Sequence, residues 1–122
     1  MTKKEIALNF LALAAKGDSM EAFQRFVSPD LIHHNAYFPK DPVVLMEAMA
    51  ESARMNPNKV FKVQRALEDG DLVAVHSYIK QHEEDPGAVV MHIFRFKENK
   101  IAEMWDFGQM LPAEVINENG LL

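Results

Sequence analysis

The chain has 122 residues, a net charge of −5 and no cysteine. That length allows one domain, spanning 1–122, with its own core, and the missing cysteine excludes disulfides, thiolate metal ligands and a cysteine nucleophile. Eighteen acidic against thirteen basic residues argue against nucleic acid as a partner, because phosphate binding rests on neutralisation by Lys and Arg.

The absence of cysteine suits a reducing compartment, and a cytoplasmic location is expected. No apolar run is long enough to span a membrane, which needs about 18 residues. The first residues, basic and then mildly apolar, are expected to form a folded helix rather than a signal sequence. Glu5 and Asn9 interrupt the run, and Lys16-Gly17-Asp18 follows in place of a cleavage site.

In chain order, Thr2 and Glu5 have the spacing of a capping box. Ile6, Phe10 and Leu13, with Leu8, Leu11, Ala12 and Ala15, then recur at helical intervals, and Gly17 stops the helix. Asp18 opens a second, shorter helix whose apolar face is expected to be Met20, Phe23, Phe26 and Val27. Pro29 ends it, and Leu31 to Asn35 reads as a short strand. Asp41-Pro42 is a cap followed by proline at the first helical position, and Asn56-Pro57 closes that third helix.

From Asn58 the apolar period falls to two. Val60–Leu67 and Leu72–Lys80 flank Asp69-Gly70, a hairpin signal. That turn would set His76 opposite Val63 and Tyr78 opposite Phe61. Ala88–Phe96 and Lys100–Gly108 follow, joined at Glu98-Asn99, and the tail from Leu111 suggests an acidic helical turn. Three helices then four long strands give an α+β class, with the helices covering one face of a sheet. If the sheet curls, its concave face and the helices enclose a pocket. Eight Phe and eight Met can line such a pocket or simply fill a core.

Asp106 stands out, lying between Trp105 and Phe107 late in an apolar strand. Pointing into an apolar pocket it would be desolvated, which raises a carboxylate pKa toward the range useful for proton relay. Near a strand end, the same carboxylate could instead cap backbone N–H groups or meet water. His92 interrupts Val89-Val-Met-His-Ile-Phe94 and is its natural partner, although a satisfied, half-buried histidine fits the pattern equally. A strict two-residue turn at Glu98-Asn99 would set His92 opposite Trp105 and Asp106 opposite Met91, on opposite faces. A bulge that shifts the register by one is therefore expected, because it would unite the pair and bend the sheet.

His33 and His34 alternate in direction along a strand, and His34 is the one expected to reach Asp106. No third ligand has useful spacing, so no metal site is expected. His82 should be solvated and Arg95 should face outward. No G-x-G-x-x-G, G-x-x-x-x-G-K-[ST] or G-x-S-x-G motif is present, so no cofactor is expected.

Five segments together resemble one family: Leu31-Ile-His-His-Asn35, Phe61-Lys-Val-Gln-Arg65, Glu68-Asp-Gly-Asp-Leu-Val-Ala-Val-His76, Val89-Val-Met-His-Ile-Phe-Arg95 and Lys100-Ile-Ala-Glu-Met-Trp-Asp106. In order and spacing they are similar to the SnoaL-like polyketide cyclases of the NTF2-like superfamily. The resemblance implies a cone-shaped fold, with three N-terminal helices on a curved, mixed and mostly antiparallel sheet that encloses a pocket. It also implies a homodimer through the sheet face. In the family's cyclases an aspartate at the place of Asp106 is general acid/base in an aldol closure. A histidine at the place of His92 assists, and one at the place of His34 lines the pocket. Met104 stands where close relatives commonly carry a histidine.

The expected function is thus a cofactor-independent lyase, isomerase or cyclase acting next to a carbonyl, with a small apolar or aromatic molecule as its partner. The alternatives are a noncatalytic binding protein for such a metabolite and a dimerisation module whose cavity is filled by Phe94, Met104 and Phe107.

Overall fold

The computed structural model describes residues 1–122. Its elements run α1 (Lys3–Ala15), α2 (Ser19–Phe26), β1 (Val27–His33), α3 (Pro42–Met55), β2 (Val60–Asp69), β3 (Leu72–Lys80), β4 (Ala88–Lys97) and β5 (Lys100–Met110). The five strands form one sheet in the order β1-β5-β4-β3-β2. β1 runs parallel to β5, and every other neighbour is antiparallel. No helix is long and apolar enough to cross a membrane.

The helix boundaries follow from local chemistry. Thr2 Oγ1 accepts from the Glu5 N–H at 3.1 Å while Glu5 Oε1 accepts from the Thr2 N–H at 2.9 Å, closing the capping box. Gly17 leaves α1 with φ of +105°, a conformation that costs a residue with a Cβ. Asp41 Oδ1 accepts from the Val43 N–H at 3.0 Å, and Pro42 opens α3. The Ser19 hydroxyl donates to the Met46 carbonyl at 3.0 Å and ties α2 to α3.

The core lies between the helices and one face of the sheet. Phe10 of α1 is its centre, with its ring 5.5 Å from Phe23 and 5.7 Å, edge-on, from Phe94. Ile6, Leu11, Phe26, Leu31, Val73, Val75 and Ile101 belong to the same cluster.

Four expectations need correction. Met20 is exposed, and Val27 belongs to β1 rather than to the face of α2, because the chain becomes extended two residues before Pro29. Pro29 instead sits in an irregular stretch of β1, between Val27 paired with Ile101 and Ile32 paired with Glu103. The first hairpin turns at Gly70-Asp71, with Asp69 opposite Leu72, because only Gly70 takes a positive φ there. His76 consequently opposes Arg65 and Tyr78 opposes Lys62, with a further shift between Val63 and Arg65. The tail beyond Met110 forms bends and a turn but no helix, since Pro112 follows directly on a strand that ends where Leu111 N donates to Gly87 O.

The second hairpin keeps its two-residue turn, with Lys97 opposite Lys100. Glu98 and Asn99 both take the left-handed conformation, at φ of 54° and 62°. Glutamate is poorly suited to this geometry. Replacing Glu98-Asn99 by Asn-Gly is expected to raise stability by about 1 kcal/mol, read as a higher urea midpoint at unchanged m-value. An unchanged or lower midpoint would show that the turn carries no such strain.

Candidate functional site

Immediately past the turn, β5 carries one residue more than β4. Phe96 opposes Ile101, but Arg95 opposes Glu103, leaving Ala102 as the extra residue. The shift of one sets His92 directly opposite Asp106. Paired residues share a face, so the expected register shift occurs, within β5 rather than in the turn.

That face looks into a cavity of about 260 Å3 between α1, α3 and the sheet. Phe10, Leu11, Leu45, Met49, Phe61 and Ile79 form its apolar walls. Its polar groups are His33, Asn35, Ser52, Lys59, His92 and Asp106. The cavity is open, and Phe107, expected as a filler, lies on the other face of the sheet with 60% of its surface exposed.

His92 is half-buried, with Phe94 stacked at 6.0 Å and Phe61 tilted at 6.4 Å. Its Nδ1 is shut off from solvent and has no hydrogen-bond partner. Burial disfavours the imidazolium and pulls the His92 pKa below its ordinary 6.5, while the Asp106 carboxylate opposes that pull without overcoming it. His92 is therefore neutral at pH 7.

Asp106 corrects the idea of a carboxylate sunk among apolar walls. It lines the cavity but is exposed, at the rim, where β5 runs out past the covering helices. Asn35 Nδ2 donates to Asp106 Oδ2 at 2.9 Å and fixes one of its oxygens.

His34 does not join them. Ile32 pairs with Glu103 and His33 with Met104, so His33 takes the cavity face and His34 the opposite one. There His34 Nε2 meets Glu103 Oε2 at 2.7 Å, and the His34 ring stacks on Trp105 at 5.0 Å. Arg95, outward as expected, donates from Nε to Glu103 Oε1 at 2.9 Å. The hydrogen bonds from His34 and then Arg95 hold Glu103 below the usual glutamate range.

His33 takes the inner position and is fully used. Its Nδ1 accepts from the Asn35 N–H at 3.2 Å, so Nε2 carries the proton and donates to the Pro39 carbonyl at 2.8 Å. This fastens the loop after β1 and aims Asn35 at Asp106. Asn35 and Lys59 are cavity residues that the sequence pattern did not single out; an asparagine after two histidines and a lysine in a turn both look like solvated surface. His76, on the outer face, has Nδ1 2.6 Å from Arg65 Nη1. No three His, Asp or Glu side chains gather where they could hold a metal ion.

A histidine and a carboxylate face to face at the mouth of an apolar hollow, on a curved sheet wrapped by helices, define a class of small α+β pocket proteins. Residues 7–104 match the SnoaL-like domain family, and the chain belongs to it. No curated protein sequence matches the chain. Among solved structures, it is similar to wild-type IdmH from Streptomyces antibioticus, provisionally a polyketide cyclase. The two share 16% identity and a TM-score of 0.73, over 88% of this chain and 92% of that one. AclR from Streptomyces galilaeus, provisionally a hydroxylase, gives 18% identity and a TM-score of 0.75, over 90% of each chain. A provisional polyketide cyclase from Acidithiobacillus ferrooxidans gives 19% and 0.71, over 88% of each. At these identities the likeness establishes the NTF2-like cone fold.

A histidine buried neutral costs stability once the unfolded chain can take up a proton that the folded one refuses. The unfolded state binds more protons below pH 6.5, so stability falls as pH drops through that value. Relative to His92→Gln, the wild type should lose stability between pH 7.5 and pH 5.5 in urea titrations. A difference that is flat with pH would show that His92 takes up its proton as readily folded as unfolded.

Proposed function

We propose that the chain is a cofactor-independent enzyme of the lyase, isomerase or cyclase type, in which Asp106 moves a proton next to a carbonyl. The observation that carries this reading is the direct pairing of His92 with Asp106 at one open apolar cavity. Asp106 is exposed at the rim and still reaches a ligand in the hollow. Asn35 holds one carboxylate oxygen and leaves the other to act as base.

His92 supplies the complementary group. Of its two nitrogens, Nδ1 is sealed off without a partner, so a proton there would be an unpaired buried N–H. Such donors are rarer in proteins than unpaired acceptors, which favours the tautomer protonated at Nε2. A neutral Nε2–H can donate to the oxygen of a developing enolate without competing for the proton that Asp106 removes. Walls such as Phe61 and Met104 keep water from weakening that hydrogen bond.

A noncatalytic binding protein for an apolar or aromatic metabolite would use the same hollow. Exchange of the α-protons of 1-tetralone in deuterated buffer, followed by proton NMR, distinguishes the two. Wild-type protein should accelerate exchange. Asp106→Asn should abolish the acceleration while binding 1-tetralone as well as before, and His92→Gln should slow it by roughly 10²- to 10⁴-fold. Bound 1-tetralone with no acceleration by the wild type favours the binding protein, and equal rates in Asp106→Asn remove that residue from the mechanism.

The outer face of the sheet favours a homodimer. Leu72, Ala74, Met91, Ile93, Trp105 and Phe107 occupy adjacent strands there and no helix covers them. An uncovered apolar sheet face of this kind is a usual site of association. Sedimentation should give a dimer for the wild type and a folded monomer for Ile93→Glu; a monomeric wild type would refute the association.

A further inference from the structure

Lys59 is the only Lys or Arg among the residues that line the cavity. It lies in the turn between α3 and β2, where its N–H donates to the Asn56 carbonyl at 3.1 Å. Its Nζ donates to Ser52 Oγ at 3.0 Å, which leaves two ammonium hydrogens without a protein acceptor. Lys59 enters none of the ion pairs of the structure. Lys16 and Arg54, which line a groove on the far side of Lys59, are by contrast matched with Asp18 and Glu51. Partial removal from water lowers the proton affinity of Lys59. A half-buried ammonium facing apolar walls without a counter-ion is unfavourable, and an anion brought into the cavity relieves it.

The two charged ends of the cavity lie far apart in the fold. Asp106 is on β5, and Asn35 follows β1 at the same edge of the sheet. Lys59 immediately precedes β2, at the opposite edge. Three strand spacings separate β5 from β2, about 14 Å along the sheet and less across its concave side. An anionic ligand is repelled at one end and attracted at the other, which selects one orientation.

We propose that Lys59 pairs with a carboxylate of the ligand, so that the cavity takes a small apolar or aromatic carboxylic acid, its acid group at Lys59 and its reacting carbon toward Asp106 and His92. This deepens the cavity reading given above and rests on it. A body of one or two rings spans the two ends and fits a hollow of about 260 Å3. Ser52, already bonded to Lys59, offers a second donor to the same carboxylate.

Calorimetric titration of the full chain with 2-naphthoate and 2-naphthamide, alike in shape and different in charge, tests the pairing. The wild type should bind the carboxylate about tenfold or more tightly than the amide, as a charge-assisted hydrogen bond provides. Lys59→Met should lose that preference and keep its affinity for the amide, and Lys59→Arg should retain the preference. Should Lys59→Met fold poorly, Lys59→Gln serves the same comparison. Equal affinities in the wild type, or an unchanged preference in Lys59→Met, overturn the role of Lys59 and leave the cavity reading in place. Binding of neither probe, with the His92 ring resonances unmoved, overturns the cavity reading and this inference together.

Discussion

One extra residue in β5 governs the whole site. Without Ala102 the tight turn at Glu98-Asn99 would carry its register to the end of the hairpin, and Asp106 would share a face with Trp105's neighbours on the outside of the sheet. The bulge reverses that for every residue beyond it. Because the side-chain period of a strand is two, a single insertion exchanges the inner and outer sets completely. The burial pattern shows why the shifted register wins: Phe94 and Met104 are buried together against the helices, while the charged Arg95 and Glu103 meet on the open face. The unshifted register would put one member of each pair on the wrong side.

The same parity explains which histidine is inside. β1 reaches β5 through an irregular stretch around Pro29, and the pairing resumes at Ile32 with Glu103. From there His33 must share the face of Met104, and His34 that of Glu103. His34 then closes a polar cluster with Glu103 and Arg95 that has no access to the cavity. His33, inside, spends both nitrogens on the loop that presents Asn35. The His92–Asp106 pair is thus formed by β4 and β5, and the loop after β1 contributes Asn35, which steadies it.

Much of the fold was legible in the residues. The capping box at Thr2, the Asp41-Pro42 start and the change of period at Asn58 each state a local preference that tertiary packing did not override. What was not legible depended on register. Asp69-Gly70 and Gly70-Asp71 are equally good hairpin dipeptides by composition, and only the pairing across the strands selects the second. The need for a bulge could be argued from His92 and Asp106, but nothing in Lys100-Ile-Ala-Glu marks Ala102 as its site. Asn35 and Lys59 carry no apolar pattern, and their place in the cavity comes from the loop and the turn that bear them.

The electrostatics of the cavity follow from what each polar group is denied. His92 is denied water and a partner at Nδ1, so it stays neutral despite facing a carboxylate. Asp106 stands at the rim in contact with water, and Asn35 Nδ2 donates a hydrogen bond to one of its oxygens. Had the two been buried together, desolvation would have penalised every charged form of the pair. Separation by depth avoids this. An exposed carboxylate beside an imidazole whose Nδ1 is sealed off makes the two groups unequal, which is what the proposed division between a base and a hydrogen-bond donor requires.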